Sequence, residues 1–133
     1  RITQDANNVG GALYCEQILC SGEITGFSSV SDERLKTNIT DFKDGLETIK
    51  KLSAYRFTWA NDMGMGRAGQ PDIGLMAQEV QKVVPEAVYE TSFIDQGEDT
   101  IKTVRYERLV PILIEAVKEL SAQVEDLKKK SRK

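Results

Sequence analysis

The stretch YERLVPILIEAVKELSAQVEDL, residues 106–127, carries the strongest periodic pattern in the chain. Its apolar residues recur at alternating spacings of four and three, which is the heptad pattern of a coiled-coil helix. The predicted seam consists of Tyr106, Val110, Leu113, Val117, Leu120, Val124 and Leu127. Because a helix with such a seam buries it against another helix, we expect copies of the chain to associate through residues 106–133.

The first half of this helix carries more apolar residues than the seam needs. Ile112, Ile114 and Ala116 widen the apolar face, so we expect this half to pack on its own globular domain as well. The simpler alternative is one amphipathic helix on a monomer, but it does not explain the narrow apolar stripe among charges from Lys118 to Lys130. Valine and leucine at the two seam positions favour two strands in simple parallel coiled coils.

Upstream of this helix, short helical and strand patterns predict a small α+β domain. Aspartate is a preferred helix N-cap, so Asp41 or Asp44 is expected to cap the first helix with its side chain. The predicted elements are a helix carrying Leu46, Ile49 and Leu52, a strand over 54–59, a loop over 61–71, a strand-to-helix passage over 73–84 ended by Pro85, and a hairpin of 87–89 with 101–104.

Residues 1–30 differ in character from the rest of the chain. They are short of charge and rich in Gly, Asn, Ser and Thr, with apolar residues in brief bursts, which predicts small strands. Such strands cannot bury a core alone, so we expect other copies of the chain to cover them in a β-structured fibre shaft. We therefore divide the chain into the end of a shaft (1–30), a globular domain (31–105) and an association helix with a basic tail (106–133).

Composition argues against several classes of function. The chain of 133 residues has 18 basic and 21 acidic residues, and only the tail 128–133 is a basic cluster, so nucleic-acid binding is not expected. No apolar run approaches the roughly 20 residues that span a bilayer, so no membrane partner is expected.

Metal and nucleotide cofactors are not expected either. With two cysteines, Cys15 and Cys20, and no histidine, one subunit cannot build a standard zinc site, which leaves a metal shared at a symmetry axis as the alternative. The segment 64–69 fits the G-x-G-x-x-G pattern, but no helix pattern follows it to hold a pyrophosphate.

Ser31 and Lys36 stand five residues apart in this histidine-free chain. A serine hydroxyl needs a base to become a nucleophile, and a lysine that has lost its proton can replace histidine in that role. The pair is therefore the candidate catalytic couple. The alternative for residues 31–36 is a charged, solvated turn.

Four segments of the chain occur in an order and spacing typical of one family. They are SDERLKTNI (31–39), the segment from LETI (46–49) to YRF (55–57), IGLMAQEV (73–80) followed by Pro85, and VRYERLVPILIEAVKEL (104–120). Together they resemble the C-terminal intramolecular chaperone domain of phage tail spikes, tail fibres and endosialidases, the peptidase S74 family.

This resemblance implies an intertwined homotrimer that registers a fibre and then releases itself by autoproteolysis without a cofactor. Ser31 would be the nucleophile and Lys36 the general base. The cleavage site would be Val30, Ser31 and Asp32, since the family cuts at a bond that flanks the serine. Attack on the carbonyl of Val30 through a five-membered ring is chemically simplest, and a cut between Ser31 and Asp32 is the alternative.

The resemblance also implies partners and a location. The partners would be two further copies of the chain, joined by a trimerisation helix at 106–133, and the fibre shaft of the same chain. The protein would be assembled in the host cytoplasm and belong to a virion, with the chaperone part released after cleavage. A non-cleaving trimerisation module is the alternative. Membrane-bound transcription factors of animals carry a related self-cleaving domain, but the shaft-like residues 1–30 fit them less well.

A lysine acts as a base only after burial or a nearby cation has favoured its neutral form. Arg34 is the predicted cation, and the packing of three chains is the predicted source of burial, so we expect cleavage to follow assembly. Asn38, or backbone amides near Ser31, are candidate donors to the oxyanion. Asparagine in a turn, however, commonly bonds to its own backbone.

Overall fold

A computed structural model of the protein describes residues 29–60, 67–92 and 100–133. In chain order these residues form α1 (Gly45–Lys50), β1 (Ala54–Thr58), β2 (Pro71–Leu75), α2 (Ala77–Val83), β3 (Val88–Ser92), β4 (Thr100–Val104) and α3 (Leu109–Ser131). Short 3-10 turns lie at Glu33–Leu35, Pro85–Ala87 and Tyr106–Arg108. The fold is α+β with a long C-terminal helix, as the sequence pattern predicts.

The strands form two antiparallel hairpins. In the first, β1 pairs with β2 and places Tyr55 opposite Gly74, and in the second, β3 pairs with β4 and places Val88 opposite Val104. The predicted strand, strand-to-helix passage and hairpin are thereby confirmed. Helix α2 ends at Val83, two residues before Pro85, because proline disfavours a helical conformation in the residue that precedes it.

The hydrophobic core lies where α2, the turn Pro85–Ala87 and the start of α3 meet. Its buried members are Val80, Val84, Ala87, Leu109 and Ile112. Partly buried apolar side chains from the other elements pack around it: Ile49, Leu52, Leu75, Val83, Val88 and Val104. This small core holds α1, both hairpins and the first half of α3 in one unit.

Helix α1 approaches the backbone of α3 closely at Gly45. A Cβ at this position would lie 2.6 Å from the backbone nitrogen of Ala116 and 2.9 Å from the carbonyl oxygen of Ile112, so only glycine fits. The carboxylate of Glu119 on α3 accepts hydrogen bonds from the backbone amides of Gly45 (2.8 Å) and Leu46 (3.1 Å). The free amides at the start of α1 are therefore satisfied from another helix.

The aspartate side-chain cap predicted for α1 is wrong. Asp44 occupies the N-cap position, but its side chain makes no capping hydrogen bond. Its φ of 63° is left-handed, whereas a capping side chain normally reaches the amides from an extended backbone. Asp41 lies three residues upstream of this position. Glu119 supplies the carboxylate instead.

Helix α3 has two apolar faces with different surroundings. Leu109, Ile112 and Ala116 are buried, which confirms that the first half of the helix packs on its own domain. Ile114 is 55% exposed, so its predicted place on this face is wrong, because two residues turn a helix by roughly 200°. The seam residues on the helix are between 41% and 64% exposed: Val110, Leu113, Val117, Leu120, Val124 and Leu127.

Tyr106, the first residue of the predicted seam, precedes α3 and lies in the turn Tyr106–Arg108. Its hydroxyl oxygen accepts a hydrogen bond from the backbone amide of Leu75 at 2.9 Å. A Cβ at Gly74 would lie 2.6 Å from that hydroxyl, so glycine makes the contact feasible. Tyr106 therefore joins β2 to the start of α3 within one chain, and the helical part of the seam begins at Val110.

The second half of α3 has no packing partner in the described part of the chain. Every residue from Leu120 to Lys133 is exposed, which leaves roughly 18 Å of helix beyond the domain. Acidic residues precede basic ones by three or four positions, the favourable order, in the ion pairs Glu115–Lys118, Glu125–Lys128 and Asp126–Lys130. Each such pair contributes only about 0.2–0.5 kcal/mol, whereas most helical stability in proteins comes from packing of an apolar face. We therefore expect the exposed apolar stripe of this half to pack against a further partner.

Residues 29–44, here called the N-terminal arm, precede α1, and every one of them is exposed. Four of its apolar side chains are between 49% and 86% exposed: Val30, Leu35, Ile39 and Phe42. Of the segment 1–30 that is predicted to form small strands, residues 1–28 with Cys15 and Cys20 lie outside the described residues, as do Gly64 and Gly66 of the glycine-rich loop. The division at 1–30, 31–105 and 106–133 stays a prediction.

Among the described ranges, no helix has the length and apolar character that crossing a bilayer requires.

Candidate functional site

Lys36 lies against Ser31 in the N-terminal arm. Its Nζ atom donates hydrogen bonds to Ser31 Oγ and to the Ser31 carbonyl oxygen, both at 2.8 Å. This distance lies within the range over which a side-chain base takes a proton from a hydroxyl. The predicted nucleophile and predicted base are thus in direct contact.

A single 3-10 turn, Glu33–Leu35, brings the two side chains together. Two backbone hydrogen bonds close it, from the Leu35 amide to the Asp32 carbonyl at 3.2 Å and from the Lys36 amide to the Glu33 carbonyl at 3.0 Å. The Asp32 carboxylate caps its start by accepting from the Arg34 amide at 2.9 Å. The turn reverses the arm enough for the lysine side chain to fold back on the serine.

The side chain of Arg34 is paired with Asp32. Its Nε and Nη2 atoms donate to the two carboxylate oxygens at 2.9 and 2.7 Å, so one carboxylate serves both the cap and the ion pair. These hydrogen bonds, first from the side chain and then from the backbone of Arg34, hold the pKa of the Asp32 carboxyl below its ordinary value. Arg34 therefore faces Asp32, and the prediction that it is the free cation beside Lys36 is wrong.

The serine and lysine are both exposed, as are the other residues of the arm. A hydrated hydroxyl is a weak nucleophile, and a lysine needs burial or a nearby cation to act as its base. The contact that proton transfer needs is therefore present in one chain, whereas the burial that a lysine base needs is not.

Val30 and Asp32 flank the serine and are also exposed. Asn38, the candidate oxyanion donor, has a left-handed backbone with φ of 53°, which asparagine tolerates better than most residues. In the described part of the chain, no hydrogen bond joins Asn38 to Ser31 or Lys36. The oxyanion role of Asn38 stays a prediction.

A cavity of about 730 Å³ lies away from these residues, between the two hairpins. At one end Trp59 donates from its indole nitrogen to Asp72 at 3.1 Å, and the Arg67 guanidinium lies 5.6 Å from the ring centre of Trp59. Sequence analysis missed this cluster, because its members lie just after β1, in β2 and in the loop between them.

Glu79 joins two elements of the domain by a side-chain contact. The hydroxyl of Tyr55 on β1 donates to both carboxylate oxygens of Glu79 at 3.0 Å. This contact joins the first turn of α2 to the neighbouring hairpin.

Comparison with known proteins gives a family match and a set of relatives. Residues 31–89 match the family described as chaperone of endosialidase, so the match begins at Ser31. The chain is 39% identical over 100 residues, 75% of its length, to the long tail fiber protein Gp37 of Enterobacteria phage K3 and to that of phage T2. It is 26% identical over 124 residues, 90% of its length, to Gp37 of Salmonella phage S16. The chain spans only 8%, 7% and 15% of these relatives.

Proposed function

Residues 31–89 belong to the endosialidase chaperone family, peptidase S74, and from this premise we propose that the chain is an intramolecular chaperone that assembles a phage tail fibre and then cuts itself free at Ser31. The observation that carries the proposal is the 2.8 Å contact between Lys36 Nζ and Ser31 Oγ. The relatives named as long tail fiber proteins support a fibre and a virion location. Assembly in the host cytoplasm belongs to the same proposal.

In the proposed reaction, neutral Lys36 accepts the proton of Ser31 Oγ while that oxygen attacks the carbonyl carbon of Val30. The new Oγ–C bond replaces the bond between Val30 C and Ser31 N, and the proton passes from Nζ to the departing nitrogen. Water then hydrolyses the ester, which leaves a carboxylate on Val30 and a free amine and hydroxyl on Ser31. Attack on the serine's own carbonyl would close a strained four-membered ring, so we favour this bond over the Ser31–Asp32 bond.

Exposed apolar surface supports the assembly part of the proposal. The seam of α3 and the apolar side chains of the arm have no partner within the described chain, and contiguous apolar surface of this kind typically marks an interaction site. We propose that three copies pack their α3 helices along the seam, as the family resemblance implies. The basic and acidic residues around the stripe stay in water in such a bundle.

A trimeric clamp would help a fibre shaft to fold. Strands shared between chains form only after distant segments have met, so correct register is entropically costly. Holding three chain ends together raises the effective concentration of the segments that must pair. Once the shaft is wound, release of the clamp would leave a product that unwinds slowly and cannot easily re-register.

The exposure of the dyad supports a coupling between assembly and cleavage. Since Arg34 is paired with Asp32, it does not supply a free positive charge beside Lys36. Burial of the arm against neighbouring copies is then the remaining route to a neutral lysine. Cleavage would then occur only after the three chains have packed correctly.

The test is a denaturing gel of the expressed chain beside Ser31→Ala and Lys36→Ala. Cleavage in the parent alone supports the dyad, and mass spectrometry of the fragments identifies the bond. Trimers that stay uncut would instead support a structural trimerisation module. Cleavage at the parent rate in a monomeric variant would contradict the coupling to assembly.

A further inference from the structure

The contact between Ser31 and Lys36 requires a reversal of the chain. In an extended backbone, five residues separate two Cα atoms by roughly 17 Å, which is well beyond the reach of a lysine side chain. The 3-10 turn at Glu33–Leu35 removes this separation. Whatever stabilises the turn therefore controls how often the base meets the nucleophile.

The turn has little intrinsic stability. A single 3-10 turn has poor hydrogen-bond geometry, and all residues of Glu33–Leu35 are exposed, so no packing supports it. Its two backbone hydrogen bonds are accompanied by three more that converge on one side chain. These come from the amide, Nε and Nη2 of Arg34, and all are accepted by Asp32.

We propose that Asp32 is the positioning residue of the Ser31–Lys36 pair, because its carboxylate caps the turn that carries Lys36 back onto Ser31. This inference rests on the proposed function. Asp32 takes no proton and does not touch the reacting hydroxyl. It acts by raising the fraction of time that Lys36 Nζ spends within hydrogen-bond distance of Ser31 Oγ.

The two contacts of Asp32 have different roles. The cap to the Arg34 amide shapes the backbone, whereas the pair with the Arg34 guanidinium restrains an exposed side chain, and exposed ion pairs contribute little. The cap is therefore the part that positions Lys36. Asparagine keeps a capping oxygen and is as good an N-cap as aspartate, whereas alanine has none.

The experiment compares cleavage of the full chain carrying Asp32→Ala, Asp32→Asn or Glu33→Ala with the parent. Glu33 lies in the same turn, where its backbone carbonyl accepts from the Lys36 amide. Because alanine keeps this carbonyl, Glu33→Ala is the matched control. We expect Asp32→Ala to slow cleavage about fivefold or more, and Asp32→Asn and Glu33→Ala to stay within about twofold of the parent. Rescue by asparagine separates the cap from loss of charge.

A second measurement does not depend on cleavage. In the uncleavable Ser31→Ala background, nuclear Overhauser contacts between the introduced methyl group and the Lys36 side chain report whether the turn is closed. We expect these contacts to persist on adding Asp32→Asn and to disappear on adding Asp32→Ala. Their persistence with Asp32→Ala would overturn the inference.

The failures of the two proposals are distinguishable. If Ser31→Ala and Lys36→Ala cut like the parent, the proposed function fails, and the nuclear Overhauser contacts still decide the role of Asp32. If both are uncut while Asp32→Ala cleaves at the parent rate, only the positioning role fails.

Discussion

The Glu119 carboxylate on α3 accepts a hydrogen bond from the backbone amide of Gly45, the first residue of α1, at 2.8 Å. The contact joins residues 74 positions apart and places the helix that carries the seam directly at the base of the N-terminal arm.

Glu119→Ala is expected to lower the free energy of unfolding by about 1 kcal/mol, because it leaves the first amides of α1 without an acceptor. Urea or thermal unfolding followed by circular dichroism at one protein concentration measures this. The matched control is Glu125→Ala on the same helix, which removes only an exposed ion pair with Lys128 and is expected to cost less than about 0.5 kcal/mol. Equal losses in the two variants would contradict the capping role.

Leu113→Asp combined with Leu120→Asp is expected to convert the proposed trimer into monomers, because it places charges in the apolar seam. Sedimentation equilibrium measures the mass, and the parent should also melt at a temperature that rises with protein concentration. Ile114→Asp is the control, since Ile114 is equally exposed but lies off the seam. Dissociation by Ile114→Asp alone would show that a different face associates.

Tyr106→Phe is expected to destabilise the domain by about 0.5–1.5 kcal/mol through loss of the acceptor for the Leu75 amide, with no change in oligomer mass. Chemical unfolding and sedimentation measure the two effects separately. Tyr89→Phe serves as the control, because it keeps the aromatic ring that the Arg105 guanidinium faces at 5.0 Å. A change in oligomer mass with Tyr106→Phe would show that Tyr106 takes part in the association of the chains.

Acid is expected to change the fluorescence of Trp59, the single tryptophan of the chain. Hydrogen bonds from the Ile73 amide and then from the Trp59 indole hold the pKa of Asp72 below its ordinary value of 3.8. A carboxylate with a lowered pKa stabilises the fold above the pKa of the unfolded state, and this contribution is lost as pH falls through the folded value. The fluorescence change should therefore occur below pH 3.8.

Asp72→Asn should remove this fluorescence transition while leaving the neutral spectrum close to that of the parent. Circular dichroism recorded in parallel separates local protonation from global acid unfolding. A transition that survives Asp72→Asn would assign the effect to another carboxylate.

Local patterns were sufficient to predict most of the fold. The alternation of aromatic and polar residues in 54–59 predicts a strand, Pro85 predicts the end of α2, and the apolar periodicity over 106–127 predicts a long helix. Each of these features depends on neighbours within a few residues along the chain. The Ser31 and Lys36 pair was also identified from the sequence, because a chain without histidine leaves lysine as the candidate base for a serine.

Several details depended on residues that are far apart in sequence. The capping carboxylate of α1 comes from Glu119, since the left-handed backbone of Asp44 turns its own side chain away from that role. Tyr106 fits the heptad by spacing, yet the room above Gly74 lets its hydroxyl reach β2 instead.

The sequence by itself determined the element types, the heptad stripe and the serine with its lysine, because spacing and side-chain chemistry specify these locally. Only the tertiary structure decided which face of α3 is buried and which acid caps α1. Those outcomes depend on the close approach of two helices at Gly45 and Ala116, which no pattern within either segment encodes.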